Sequence, residues 1–358
     1  MSTGLFAYDP RGRLFAIGCG SELLVHDGAS EAPLWRRELD ESIVGVDVCG
    51  DELVVLTEPG FIVRFGLRGR ELGRLSLGAP ARSLAVAPSG WIAATHEERI
   101  SVLRRGDLAA TDLPHGGVTA MAWSADGTKL LLGTRDGALI ELRAPSWTEA
   151  REAISADTAI ATICWSARGV WLVGSGDRVL RVEPGATETK PVTRASGQAI
   201  TALASAPDGA RFAMQLGDST VVVLSDPPGE TIAQLRYPER RACGIAFGPE
   251  RWLGVGLDTG DANKLDITTG ALHRSDTHPD RMHSSWLVAV STAADQKIEL
   301  EKKRAPSERP AKKHRAPPQS APLAYDDPPA DEGPSPWLVL RLVITGIAIL
   351  FALLRLMD

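Results

Sequence analysis

The chain has 358 residues, of which 44% are hydrophobic, with 35 glycines, 24 prolines and four cysteines. Its formal net charge of −6 excludes the basic face or stripe by which nucleic acid is usually held, and the length is ample for one sizeable core plus a non-globular region. None of the cysteines (Cys19, Cys49, Cys164 and Cys243) forms a CxxC pair, and each sits in an apolar run, so all four are expected to be reduced, buried small hydrophobes.

The opening MSTGLFAYDPRGRL has no basic stretch followed by an apolar one, which predicts a cytosolic rather than a secreted protein. A phrase then recurs about every forty residues. It reads AYDPRGRLFAIG at 7–18, VDVCGDELVVLT at 46–57, LAVAPSGWIAAT at 84–95 and MAWSADGTKLLLGT at 121–134. It continues as ICWSARGVWLVGS at 163–175, LASAPDGARFAMQ at 203–215 and IAFGPERWLGVG at 245–256. Runs such as LLLG, WLVG and VVVL are short, rich in Val and Leu, and bounded by Gly, Asp, Pro and Ser, which is strand chemistry. Punctuation arrives too often for helices of normal length. Seven repeats of four short strands predict an all-β, seven-bladed β-propeller over residues 1–301.

In the fourth repeat the strands are expected at 118–123, 129–133, 138–143 and 147–153. Asp136, Asp177, Asp218 and Asp261 follow the second strand of their repeats and read as turn residues that cap backbone N–H groups. Trp91, Trp171 and Trp252 open second strands, while Trp123 and Trp165 end first strands. Aromatics fixed to a repeat phase read as packing between blades. Residues 256–263, GLDTGDAN, lack the glycine and closing glutamate of a calcium loop and read as a turn.

The fourth repeat, HGGVTAMAWSADGTKLLLGTRDGALIELR, resembles a WD40 repeat. His115 matches the histidine before the first strand, Trp123-Ser124 through Gly127 match the aromatic-Ser-Pro-Asp-Gly turn with Ala125 in place of Pro, and Asp136 matches the turn aspartate. The name-giving Trp-Asp pair is replaced by Leu142-Arg143, and elsewhere by His26-Asp27, Val182-Glu183 and Leu265-Asp266, so the His–Ser–Asp–Trp network of the family is expected to be incomplete. The resemblance implies protein partners, since such propellers mostly serve as interaction platforms.

Two further strand-like runs lie in SSWLVAVSTAADQKIELE at 284–301. They are expected either to close the ring beside blade one or to form an extra sheet outside it. Propellers bind through loops at the blade ends, which makes Arg82, Arg135, Arg240 and Arg241 candidate partner-binding residues. The loop HRSDTHPDRMH at 273–283 adds His278, Asp280 and Arg281. Its histidines stand five apart, a spacing that matches no standard zinc site, so no metal is expected.

Residues 302–336 hold nine prolines and no apolar period, which predicts a disordered linker, basic in its first half and acidic in its second. Residues 337–357 follow as WLVLRLVITGIAILFALLRLM, just long enough for a C-terminal transmembrane helix. A helix lying in the interface, or packed on the propeller, is the alternative. Arg341, Thr345, Ala348, Ala352 and Arg355 fall on one stripe of about 80°, small or polar, which suits close helix–helix association.

The sequence thus predicts a single-pass membrane protein with its propeller in the cytoplasm, acting as a scaffold or adaptor for protein partners. The competing expectation is a propeller hydrolase or lyase with its site in the central channel, which would need acid, base or metal-binding groups converging there. No such residues stand at matched repeat positions, no nucleotide-binding or hydrolase motif occurs, and neither cofactor nor nucleic acid is expected. A periplasmic quinone-binding propeller is disfavoured by the opening residues.

Overall fold

A computed structural model describes residues 5–275 and 286–290, except positions 10, 30–31, 97, 108, 150–153, 227–229, 239 and 250. The expected linker and helix, 302–357, lie outside the described residues, as does the membrane-helix stripe of Arg341, Thr345, Ala348, Ala352 and Arg355. Among the described residues no helix is long and apolar enough to cross a membrane.

The turn that opens the repeat phrase shows how the strands arise. In SADGTK, Gly127 takes a φ of +65°, a conformation that costs glycine little. Asp126 accepts from the amide of Thr128 at 3.0 Å, and Ser124 Oγ accepts from the amide of Lys129 at 3.0 Å. The chain therefore reverses after Trp123 and pairs antiparallel, with Trp123 opposite Leu130. The same event in each repeat builds seven antiparallel sheets. Each blade uses consecutive strands in the order first to fourth, from the inside outward. The innermost strands are Phe6–Tyr8, Ile43–Cys49, Ser83–Val86, Val118–Trp123, Ile160–Ser166, Ile200–Ser205 and Ala242–Phe247.

The unbroken run Leu130-Leu131-Leu132 has a direct cause. Successive side chains of a strand point to opposite faces, and both faces of a blade are covered by neighbours. Leu130 and Leu132 enter the core shared with blade three, beside Ala85, Ala93 and Val102. Leu131 enters the core shared with blade five, beside Ile160, Ile163 and Trp171. All three leucines are fully buried, and each such burial stabilises the fold by about 2 kcal/mol.

The seams between blades are also stitched by side chains that reach the main chain of the next blade. Asp47 accepts from the Val86 amide at 3.2 Å, and Trp123 Nε1 donates to the Ala85 carbonyl at 3.1 Å. Thr119 donates to the Ile160 carbonyl, and Thr162 accepts from the Leu203 amide at 3.2 Å. Arg168 Nε donates to the Gly209 carbonyl at 2.7 Å, and Gln215 Nε2 to the Ala242 carbonyl at 2.8 Å. The partners in five of these six bonds stand 38 to 41 residues apart, so the repeat length is also the length of the stitch.

The last seam joins blades that are not consecutive in the chain. Blade one contains Phe6–Tyr8 through Pro33–Glu38, and blade seven contains Ala242–Phe247 through Leu272–Ser275, so neither borrows a strand from the other. Phe6, Tyr8, Phe15, Ile17 and Leu24 of blade one instead form one core with Ala262, Cys243 and Ala246 of blade seven. Gly254 makes this approach feasible, because a Cβ there would stand 2.4 Å from the Phe6 ring.

In blade four the described outer-strand residues are Thr148–Glu149 and Ile154–Ser155, each pairing with a different end of Ala138–Arg143, and 150–153 lie outside the described residues. One expectation needs correction. The run at 286–290 neither closes the ring beside blade one nor forms a separate sheet. Trp286–Val290 adds a fifth strand to the outer edge of blade six, beside Thr231–Arg236. That edge carries no proline, whereas the outer strand of blade one starts at Pro33 and that of blade five contains Pro191, and proline lacks the N–H that pairing needs.

Candidate interaction face

Strand direction alternates within a blade, so the turn after each second strand and the connection between blades share one end of the ring. This face carries a carboxylate at or beside the second-to-third-strand turn of every blade. They are Glu22, Glu58, Glu98, Asp136, Asp177, Asp218 and Asp258. Several also hold their own turns, as read from the sequence. Asp136 accepts from the Thr134 hydroxyl and Asp218 from the Thr220 amide at 3.0 Å, whereas Asp177 reaches out of its turn to the Gly197 amide at 3.3 Å and to Arg194 at 2.8 Å.

The four candidate arginines all fall on this face, but in different roles. Arg82 lies in the connection entering blade three and Arg135 in the adjoining turn of blade four. Both side chains are exposed, while their amides are held by the carbonyls of Thr95 and Gly117. Arg241, also exposed, begins blade seven with its amide on Asp258. Arg240 is turned inward. Its guanidinium meets Asp261 at 3.0 Å with both side chains nearly enclosed, and Thr259 donates to the same carboxylate at 2.8 Å. The loop residues His278, Asp280 and Arg281 lie outside the described residues.

Two features of this end were missed in the sequence. In blade three, His96 Nε2 stands 2.8 Å from Ser101 Oγ, which donates to Asp112 at 2.6 Å, and Arg99 pairs with the other Asp112 oxygen at 3.0 Å. Burial, followed by the charge of Arg99, pushes the His96 imidazole below its usual pKa, so it stays neutral at neutral pH. The hydroxyl sits between the imidazole and the carboxylate, so this is a tie rather than an activated nucleophile, in which the base would occupy the middle. The residues are close in sequence, but nothing in HEERIS marks them out.

The second is a cavity of about 130 Å³ between blades four and five, lined by Ser155, Asp157, Thr158, Ser175, Arg178 and Thr189 among others. Arg178 pairs with Asp157 at 2.9 Å, and the hydroxyls of Thr158 and Ser175 meet at 2.6 Å. A floor of hydroxyls beneath a charge pair suits a polar side chain or main-chain segment of a bound chain.

The innermost strands carry one carboxylate with a strongly raised pKa. Asp47 is pushed up to about 6 by burial, against the pull of its bonds to the Val48 and Val86 amides. Among the described residues no group of three or more His, Cys, Asp or Glu side chains is placed to hold a metal ion.

Residues 107–140 match the family model described as WD40: WD domain, G-beta repeat. The matched segment spans the end of blade three and most of blade four, inside a ring of seven such blades. This is a seven-bladed β-propeller that contains a segment matching a WD40 repeat. The incomplete family network has a visible counterpart, since Leu142, at the tryptophan position, is a fully buried core residue. No curated protein matches the chain.

Solved structures share the propeller's shape at low sequence identity. The β-propeller domain of Cps50 (Swd1) from Myceliophteria thermophila aligns with a TM-score of 0.65 at 18% identity, covering 75% of this chain and 97% of that one. A chain of a mitotic checkpoint complex aligns with a TM-score of 0.62 at 16% identity, covering 73% and 88% respectively. WD40 propellers usually mediate protein–protein interaction and are typically non-enzymatic.

Proposed function

We propose that this protein is a membrane-tethered scaffold whose propeller recruits protein partners on its cytosolic side. The observation that carries the recognition half is the face just described. Seven rigid blades place a carboxylate each around one end of the ring, and Arg82, Arg135 and Arg241 stand exposed among them. Fixed charges of both signs on a preorganised surface favour selective docking of a complementary protein surface over general adhesion.

The tether half rests on sequence alone. A proline-rich segment at 302–336 and an apolar one at 337–357 would leave the propeller mobile above the bilayer, which raises its effective concentration for partners at the same surface. The basic stretch on the N-terminal side of the apolar segment favours a cytosolic propeller. The stripe of Arg341, Thr345, Ala348, Ala352 and Arg355 would let two such helices associate.

Proximity labelling in cells, comparing the full-length protein with a chain ending at Pro336, tests both halves. Membrane neighbours should disappear from the shorter chain, while partners of the propeller face should persist. Release of the intact full-length chain by alkaline carbonate would overturn the anchor, and unchanged association after Ala348→Leu with Ala352→Leu would overturn helix pairing.

A further inference from the structure

The outer edges of the blades differ in how they are guarded. A strand at a sheet edge presents unpaired N–H and C=O groups, which accept another strand unless charge, proline or shortness prevents it. Blade one ends in Pro33–Glu38, PLWRRE, with three charges behind its proline. Blade two ends in Glu71–Ser76, ELGRLS, with two charges and a glycine between them. Blade five ends in Lys190–Arg194, KPVTR, charged at both ends and containing Pro191. The last strands of blades three and seven, Thr111–Leu113 and Leu272–Ser275, are only three and four residues long.

Blade six has none of these guards. Its outer strand Thr231–Arg236, TIAQLR, is six residues long, with neither proline nor glycine and with one charge, at its end. Trp286–Val290, WLVAV, is uncharged and lies on that edge. Ala233, Gln234, Leu235 and Arg236 stand opposite Val290, Ala289, Leu287 and Trp286, antiparallel, and Val288 is passed over where the register shifts. The blade is complete without this addition, since its four consecutive strands match those of its neighbours, and Ala233 and Leu235 are already buried in the core shared with blade seven. A five-residue strand that pairs on one side only, across a bulge, opens at lower cost than the strands inside it.

We propose that the outer edge of blade six is a strand-receiving site for protein partners, and that Trp286–Val290 is its built-in, exchangeable occupant. The partner it fits is an extended segment with the chemistry of that occupant: uncharged, apolar, free of proline, and added antiparallel to Thr231–Arg236. Main-chain hydrogen bonds hold such a segment, and the alternate side chains select it. The tether from the end of blade seven, residues 276–285, is short, so the built-in strand competes at an effective concentration on the order of 1 mM. It thereby keeps an unguarded edge from pairing indiscriminately and sets a threshold that only a well-matched partner segment exceeds.

The full-length chain in detergent micelles tests this, as the natural protein and with Leu287→Pro plus Ala289→Pro to release the built-in strand. The probe is the synthetic peptide SWLVAVS, residues 285–291. The released variant should bind it while hydrogen exchange across 231–236 slows, and the natural protein should bind it about tenfold or more weakly, because its own strand must first be displaced. The peptide with proline in place of its alanine should bind neither protein. In the natural protein, which needs no variant to fold, the amides of 286–290 should exchange about tenfold or more faster than those of Thr220–Ser225 in the same blade. No binding by the folded released variant, equal binding by both proteins, equal binding of the proline peptide, or equal exchange in the two segments would each overturn the proposal.

Discussion

Lys264 donates from Nζ to the carbonyl of Gly28 at 2.7 Å, joining the last blade to the first across 236 residues of sequence. The ammonium also lies 4.3 Å from the centre of the Trp252 ring, and Tyr8 donates to the same carbonyl at 2.9 Å. A charged donor, a hydroxyl and an aromatic face thus converge at the seam that joins the first blade to the last.

Replacing Lys264 by Met keeps most of the buried stem and removes the donor and the charge. The loss should be about 2 kcal/mol, since a charge-assisted bond to a buried carbonyl is lost while Tyr8 still satisfies that oxygen. Equilibrium denaturation with urea reads it, and an unchanged midpoint would remove Lys264 from the account of ring closure.

Gly254 and Phe6 give a second test of the same seam. A methyl at position 254 would sit 2.4 Å from the Phe6 ring and 3.4 Å from Tyr8, so Gly254→Ala should cost about 2 kcal/mol or more by forcing the blades apart. In a Phe6→Ala background the same change should cost much less, because the obstructing ring is gone. Additive losses in this double-mutant cycle would show that position 254 acts through its own backbone instead.

Asp47 should make stability depend on pH in an uncommon direction. Its carboxyl is raised from 3.8 to about 6 by burial, so between those values the folded protein binds the proton more tightly than the unfolded chain. The contribution is greatest below about pH 4 and is lost as pH rises through 6. The stability difference between the natural protein and Asp47→Asn should accordingly fall, in the natural protein's disfavour, from pH 4.5 to pH 7.5. Parallel curves would contradict it.

The arginines of the interaction face should separate into two behaviours. Arg82→Glu and Arg135→Glu reverse exposed charges, so partner capture should weaken about tenfold while Tm stays within a degree or two. Arg240→Ala strands the Asp261 carboxylate in a nearly closed site (6% exposed side chain), and should cost about 3 kcal/mol of stability whatever it does to binding. A calorimetric scan beside a pull-down distinguishes them.

Much of this molecule is local and therefore written in order along the chain. The turn at Ser124–Lys129 is closed by residues within five positions of one another, so its glycine and aspartate announce it. The leucine run beside it is apolar throughout because both faces of the blade are covered, and repetition of the unit gives seven blades. Alternation also allocates the tryptophans, with Trp171 fully enclosed between blades four and five, as its phase in the repeat suggested.

The candidate site was only partly legible. Arg82, Arg135, Arg240 and Arg241 could be named as loop residues, yet nothing local separates Arg240, which is committed to Asp261 twenty-one residues on, from its exposed neighbour Arg241. The hydroxyl-lined cavity pairs Thr158 with Ser175, two ordinary residues of different blade elements, and acquires meaning only once blades four and five stand side by side.

What the sequence by itself determined was the repeating unit, because strand, turn and alternation are settled by interactions among residues a few positions apart. What only the tertiary structure decided was how the ring meets itself and which charges remain exposed. Phe6 against Gly254, Lys264 on Gly28 and Cys19 on Asp258 join positions more than 230 residues apart. No local pattern can encode such pairs, since they exist only after seven blades have turned the chain through a full circle.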